Sequence, residues 1–321
     1  MSVPKAAVIG CAGPTLTDDE RRLFREADPL GFILFARNCV DPAQLRALVS
    51  ALRATVERED APVLIDQEGG RVARLGPPHW RKAPPASEFA AMYRSDKRAA
   101  IAAARLNARL MADELVAAGI NVDCAPVLDI PVTGADPIIG DRALGDGPEP
   151  VAVLGRAVWD GLRDRGILPV IKHIPGHGRA RADSHKALPV VETARSELSR
   201  ADFVPFRALA NAPCAMTAHV VYSDIDGSAP ATLSRKVIAE VIRDEIGFEG
   251  LLLSDDIAMG ALSGPLGARA RDCLVAGCDV ALHCSGVIEE TREVLAAVGP
   301  LAGPAQERLI RALESGTKAR T

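Results

Sequence analysis

The sequence predicts a (β/α)8 TIM barrel formed by one domain spanning residues 1–321. Eight short apolar segments of strand character alternate with helix-like segments along the chain. No glycine-rich dinucleotide turn follows any of these strands, which favours a closed barrel over a doubly wound sheet. No linker or break in composition marks a second domain, and 321 residues are enough to bury a large core.

Capping signals place the first two helices. Thr17 precedes three acidic residues, which favour the first turn of a helix, and Asp41-Pro42 starts an amphipathic segment. A polar, Pro-rich connection joins the third strand to the next long helix, and residues 131–150 are expected to be irregular. The predicted strands cover 6–11, 31–35, 62–65, 120–124, 168–171, 214–217, 251–253 and 279–283. The later helices are predicted at 95–118, 151–165, 199–210, 234–246 (capped by Ser234), 265–276, 287–297 and 304–314.

Composition excludes several classes of function. A net charge of −4 and a pI near 5.9, without a basic stripe, argue against nucleic-acid binding. No apolar run reaches the roughly 18 residues that span a bilayer, so no membrane role is expected. The N-terminus lacks the pattern of a secretory signal, and we therefore expect a cytoplasmic protein. The seven cysteines form no C-x-x-C pair and lie mostly in apolar runs, which predicts buried reduced thiols.

Polar residues follow the predicted strands, and a barrel brings such residues to one mouth. Residues 172–185 alone hold three of the six histidines. Lys172 and His173 end the fifth strand; alternation places them on opposite faces, although the strand is ending there. A Schiff-base role for Lys172 is conceivable, but hydrogen bonding to a ligand is the simpler expectation. Asp183 stands two residues before His185, so it can hold one ring nitrogen while the other exchanges a proton.

Carboxylates follow two further strands. Asp66 directly follows the third strand and, with Arg74 nearby, suits the binding of neighbouring sugar hydroxyls. Asp255 and Asp256 end the seventh strand, where burying a carboxylate for stability alone would be costly. One of them is a candidate nucleophile and the other a candidate cap for the following turn. Strand alternation does not choose between them.

Several ordered motifs resemble glycoside hydrolase family 3, and within it the single-domain bacterial β-N-acetylhexosaminidases that recycle peptidoglycan fragments. The resemblance runs from about residue 31 to residue 284. The motifs are D-Q-E-G-G-R-V at 66–72, I-G-D-R at 139–142, K-H-I-P-G-H-G at 172–178, D-S-H at 183–185, M-T-A-H at 216–219 and S-D-D-I-A-M-G at 254–260.

The resemblance implies a retaining β-N-acetylglucosaminidase that releases terminal N-acetylglucosamine from muropeptides through a covalent glycosyl-enzyme. It implies Asp255 as the nucleophile and His185 as the acid/base, assisted by Asp183. It implies no cofactor and no metal. A small carbohydrate would be the partner, and we expect a monomer. The residues implied to hold the sugar are Asp66, Arg74, Arg142, Lys172 and His173.

Three features depart from the family pattern. Ile174 stands where phenylalanine is usual, and the eighth strand ends in H-C-S-G at 283–286 where an asparagine turn is expected. Arg179 and Arg181 make the loop before His185 unusually basic. If they face the leaving group, they would favour an acidic aglycone such as a muramic-acid peptide.

Four alternatives remain open at the level of sequence. A phosphorylase or a β-glucosidase could use the same scaffold. A metal-dependent hydrolase could use a set of three histidines and one aspartate, although the first strand carries no H-x-H pair. A non-catalytic sugar-binding barrel is disfavoured because the chain has both a candidate nucleophile and a candidate acid/base. The metal-binding set would be His173, His177, His219 and Asp255.

Overall fold

The computed structural model describes residues 3–317 and contains the predicted closed barrel of eight parallel strands. Each strand pairs in parallel with its neighbours, and the first pairs with the last through Ala7–Ala281, Val8–Leu282 and Ile9–His283. The strands are β1 Lys5–Gly10, β2 Pro29–Leu34, β3 Val63–Ile65, β4 Val122–Asp123, β5 Leu168–Ile174, β6 Cys214–Thr217, β7 Leu251–Asp256 and β8 Val280–His283.

Strand alternation divides the core into two layers. Val8, Ile33 and Leu282 belong to a cluster that fills the barrel interior. Their neighbours Ile9 and Phe32 belong to a larger cluster shared with the surrounding helices. The helices are α1 Asp18–Ala27, α2 Pro42–Val56, α3 Ala86–Ser95, α4 Lys97–Ala118, α5 Pro148–Arg163, α6 Arg195–Arg200, α7 Val204–Ala208, α8 Leu266–Ala276, α9 Ile288–Ala297 and α10 Pro304–Thr317, with a π-helix at Val237–Glu245.

The predicted caps are confirmed. Thr17 accepts a hydrogen bond from the Glu20 amide while the Glu20 carboxylate accepts one from the Thr17 amide, which completes a capping box. Asp41 accepts from two amides at the start of α2. Ser234 accepts from the Val237 amide, although the segment that follows is a π-helix.

Two helix predictions were wrong. The Pro-rich connection contains α3, which begins directly after Pro85 and buries Phe89 and Tyr93. The predicted helix at 199–210 is two short helices, because Pro205 has no amide to continue a helix and stands instead in the first turn of α7. Asp202, between the two helices, is buried and paired with Arg179 at 2.8 Å.

The cysteine prediction is confirmed: all seven are free, and all but the half-buried Cys39 are buried. Among residues 3–317, no helix is both long and apolar enough to cross a membrane.

Candidate active site

A cavity of about 430 Å³ opens at the carboxyl ends of the barrel strands. This volume lies within the range of small-molecule sites. Seven of the eight residues implied by the family resemblance line this cavity. The eighth, Asp183, forms a hydrogen bond with one of the seven, His185. The seven lining residues are Asp66, Arg74, Arg142, Lys172, His173, His185 and Asp255.

Lys172 is the centre of a buried ionic cluster on one wall of the cavity. Its Nζ lies 2.8 Å from Asp66 Oδ1 and 2.7 Å from Glu68 Oε1, and the side chain is 2% exposed. Arg74 donates to the other oxygen of Asp66 at 2.9 Å. Arg142 donates to both oxygens of Glu68, each at 2.8 Å. Three cations therefore alternate with two carboxylates, and each of the two acids is held from both sides.

The charges in this cluster stabilise one another. Burial alone would raise the pKa of Asp66, but Lys172 and Arg74 outweigh it and hold that pKa well below its usual value. Lys172 and Arg142 lower the pKa of Glu68 in the same way, against its burial. Burial opposes the charge on Lys172, yet the two carboxylates raise its pKa. A Schiff-base role needs a neutral amine, so hydrogen bonding is the role that fits Lys172.

Glu68 was not singled out from the sequence. The signal was its position two residues after Asp66, since alternate residues of an extended segment share a face. In the structure Gln67–Gly69 forms a short antiparallel pair with Val72–Ala73, and Gly70 at the turn has φ +58°.

Asp129 fixes the two histidines at the end of β5. Its Oδ2 lies 2.6 Å from His173 Nδ1, and its Oδ1 accepts from the His177 amide at 2.6 Å. Asp129 is fully buried; that burial would raise its pKa, but the His173 and His177 contacts lower it to about 2. His173 and Lys172 both face the cavity, although simple alternation would have separated them.

The structure separates the two acids that end β7. Asp256 Oδ1 accepts from the amides of Ala258 and Cys284, so this carboxylate caps the turn. Burial and the charge of the neighbouring Asp255 raise the pKa of Asp256 to about 6, although the two amide hydrogen bonds lower it. Asp255 accepts only the Asp256 amide at 2.8 Å among the hydrogen bonds of the described chain. Its carboxylate is the one left for a ligand.

Asp255 is kept ionised by its surroundings. Burial would raise its pKa, but His219, His173 and Lys172 together lower it. His219 is itself fixed, because its Nε2 donates to the Asp256 carbonyl at 2.9 Å. An ionised carboxylate at the floor of a cavity is suited to attack an electrophilic carbon or to stabilise positive charge.

Asp183 and His185 form the predicted pair on the loop after β5. His185 Nδ1 lies 2.8 Å from Asp183 Oδ1, which also accepts the His185 amide at 2.9 Å. The His185 side chain is 63% exposed and reaches the cavity, while Asp183 is largely covered. Burial would raise the pKa of Asp183, but its contacts with His185 lower it. The imidazole is thereby oriented with its other nitrogen free for proton exchange.

Arg37 is a cation of the cavity to which the sequence assigned no role. Its Nε donates to the Cys11 carbonyl at 3.1 Å and its Nη2 to the Cys284 carbonyl. Its guanidinium carbon lies 4.8 Å from the Phe35 ring centre, and that of Arg74 lies 5.1 Å from the same ring. Within residues 3–317 no carboxylate pairs with Arg37, so its charge is open to a ligand.

The loop arginines are placed differently from the expectation. Arg179 pairs with Asp202 at 2.8 Å and Glu197 at 2.7 Å, and it does not line the cavity. Arg181 is exposed beside it. The hypothesis that both arginines contact the leaving group is therefore wrong for Arg179, whose charge is already neutralised.

The histidines proposed for a metal site have other partners. His173 is bonded to Asp129, His177 Nε2 lies 3.1 Å from Ser184 Oγ, and His219 Nδ1 lies 2.7 Å from Thr232 Oγ1. Over residues 3–317, no group of three or more His, Cys, Asp or Glu side chains is placed to hold a metal ion.

Fold and site together fit a barrel of the glycosidase class, with a buried carboxylate and a hydrogen-bonded Asp–His pair at one mouth. The sequence model of the glycosyl hydrolase family 3 N-terminal domain matches residues 10–314. The chain belongs to glycosyl hydrolase family 3.

Individual relatives agree with this assignment. A protein of Alkalilimnicola ehrlichii named beta-hexosaminidase is 45% identical over 282 residues, which are 87% of this chain and 80% of the relative. NagZ of Neisseria gonorrhoeae, solved with N-trifluoroacetyl-D-glucosamine, has a TM-score of 0.83 at 31% identity and covers 99% and 96% of the two chains. A family 3 beta-N-acetylglucosaminidase of a Paenibacillus species has a TM-score of 0.85 at 34% identity; the likeness covers 98% of this chain and 61% of that one.

Proposed function

We propose that this protein is a retaining β-N-acetylglucosaminidase that removes terminal, non-reducing N-acetylglucosamine from muropeptides during cell-wall recycling. The observation that carries the proposal is the meeting of ionised Asp255 and the Asp183–His185 pair at one cavity. The proposal assigns the whole chain, residues 1–321, to one catalytic domain. It requires no metal or cofactor.

The mechanism follows from these groups. Protonated His185 gives its proton to the glycosidic oxygen while Asp255 attacks the anomeric carbon, so the glycosidic bond breaks and an ester to Asp255 forms. Neutral His185 then takes a proton from water, whose oxygen attacks the same carbon and releases Asp255. Two inversions give net retention. A histidine can serve both steps because its charge changes near neutral pH.

The sugar would be held by the Lys172 cluster. Lys172, Arg74 and Arg142 offer fixed donors, and Asp66 offers acceptors to neighbouring hydroxyls. Because the cluster is already bonded internally, its geometry is set before the sugar arrives. His173, oriented by Asp129, adds a further ring nitrogen on the same wall.

The cellular setting is part of the same proposal. Free buried cysteines suit a reducing compartment, so we predict a cytoplasmic enzyme, and we predict a monomer.

The test is product analysis with a chromogenic N-acetyl-β-glucosaminide, with and without inorganic phosphate. We expect free N-acetylglucosamine, first formed as the β-anomer by NMR, at a rate that phosphate leaves unchanged. N-acetylglucosamine 1-phosphate as the main product would establish the phosphorylase alternative. Faster turnover of the matching β-glucoside would establish a β-glucosidase.

Arg37 gives a prediction about the leaving group. We expect Arg37→Gln to lower kcat/KM about 10- to 100-fold on a substrate whose aglycone carries a carboxylate, because a hydrogen bond to a charged group contributes roughly 1.5–3 kcal/mol. On a neutral aryl glycoside the loss should be much smaller. The measurement is the ratio of kcat/KM between the two substrates.

Arg181→Gln is the matched control, since it removes an exposed guanidinium that does not line the cavity. The ratio should stay near that of the wild type. A preference for acidic aglycones that follows Arg181 instead of Arg37 would contradict the assignment.

A further inference from the structure

Two loops of the active site are joined directly by their main chains. The His185 loop, residues 179–188, lies against the Asp255 turn, residues 257–263, which directly follows β7. The Gly260 amide donates to the His185 carbonyl at 3.2 Å, and the Ala261 amide donates to the Ser184 carbonyl at 3.0 Å. The segment carrying the candidate acid/base is thus bonded to the segment that continues from the candidate nucleophile.

Gly260 lies close against the backbone of the His185 loop. A Cβ at this position would lie 2.8 Å from the His185 carbonyl oxygen and 3.1 Å from the Lys186 carbonyl oxygen. Contacts under 3.0 Å require something to move. The φ angle of Gly260 is outside the left-handed region, so the backbone itself accepts any residue. The three atoms nearest to such a Cβ all belong to the His185 loop.

Ser184 supplies a second anchor for the loop, through its side chain. Its Oγ lies 3.1 Å from His177 Nε2, and both side chains are 3% exposed. The His177 amide is in turn bonded to Asp129 at 2.6 Å. The residue just before His185 is therefore tied to the end of β5 by its side chain and to the Asp255 turn by its carbonyl.

We infer that Gly260 and Ser184 are positioning residues, which fix the position of His185 relative to Asp255. The inference rests on the proposed function, because it concerns where the acid/base stands relative to the nucleophile. Both groups act on bonds to one anomeric carbon, so a displacement of about 1 Å costs roughly 10²-fold in rate. Gly260 and Ser184 need not touch the sugar to set that distance.

The experiment compares two aryl N-acetyl-β-glucosaminides of different leaving-group ability. A dinitrophenolate leaves without protonation, whereas a phenolate needs a general acid. For Gly260→Ala we expect kcat/KM on the phenyl glycoside to fall about 10²-fold, within the usual contribution of general acid catalysis. On the dinitrophenyl glycoside it should fall less than about threefold. Azide should raise kcat on the dinitrophenyl substrate, because it attacks the glycosyl-enzyme without a base.

Ser184→Ala is the second variant and should show the same unequal loss. Gly13→Ala is the matched control, because a Cβ at Gly13 meets nothing within 4 Å and its φ is ordinary; both of its rates should match the wild type. Equal losses on the two substrates, or no loss, would overturn the inference while leaving the proposed function intact. An inactive wild type would instead reject the proposed function.

Discussion

Replacement of Asp255 by alanine is expected to lower kcat/KM on a phenyl N-acetyl-β-glucosaminide by at least about 10⁴-fold, the scale of loss when a nucleophile is removed from a catalytic unit. Without this carboxylate the anomeric carbon has no covalent partner. The fold should persist, because Asp255 accepts only one local amide among the described hydrogen bonds. Thermal unfolding checks the fold, and initial rates check the activity.

Asp256→Asn is the matched control for this prediction. The asparagine oxygen can still accept from Ala258 and Cys284, so the turn keeps its cap and the rate should fall far less. On an activated glycoside, azide should restore turnover to Asp255→Ala and yield the α-glycosyl azide. Near-normal activity of Asp255→Ala, or a larger loss for Asp256→Asn, would show that the wrong acid has been assigned.

Replacement of Lys172 by methionine is expected to destabilise the protein by about 3–5 kcal/mol, the usual cost of removing one partner from a buried ionic group. Two carboxylates, Asp66 and Glu68, would remain buried with one arginine each. The free energy of unfolding, measured with urea, is the direct check. Sugar binding should weaken as well, because Lys172 lines the cavity.

The pH dependence of this variant has a definite sign. In the wild type the pKa values of Asp66 and Glu68 lie below their unfolded values, so their stabilisation is lost as pH falls. Lys172→Met removes one of the two cations that lower each pKa, so the pKa values of Asp66 and Glu68 rise relative to those of the wild type. The loss of stability on acidification should therefore be smaller in Lys172→Met than in the wild type. Addition of Glu68→Gln should recover part of the loss at pH 7; wild-type stability of the single variant would contradict the cluster's role.

The sequence was a sufficient guide to the barrel because buried parallel strands are continuous apolar runs with clear ends. The same ends located Asp66, Lys172 and Asp255. The sequence was not sufficient where the role of a residue depended on how its side chain packs. Asp255 and Asp256 are adjacent residues of the same type, so the sequence does not distinguish their roles. The two amides that are bonded to Asp256 in the structure do distinguish them.

The remaining errors have similar causes. Glu68 was overlooked because its importance comes from Lys172 and Arg142, which are distant in the chain. Arg179 was expected at the leaving group, yet a buried acid from another segment neutralises it. The helix α3 follows a pair of prolines, and tertiary burial of Phe89 and Tyr93 decides its fold.

The most direct test of Asp255 as the nucleophile is to trap the covalent intermediate. Wild-type enzyme is incubated with a 5-fluoro N-acetylglucosaminyl fluoride, whose ring fluorine slows hydrolysis of the glycosyl ester. The masses of the intact protein and of its peptides are then measured by mass spectrometry. We expect one added glycosyl group, located on Asp255 and missing in Asp255→Ala. Attachment to any other residue, or inactivation without an adduct, would contradict this assignment.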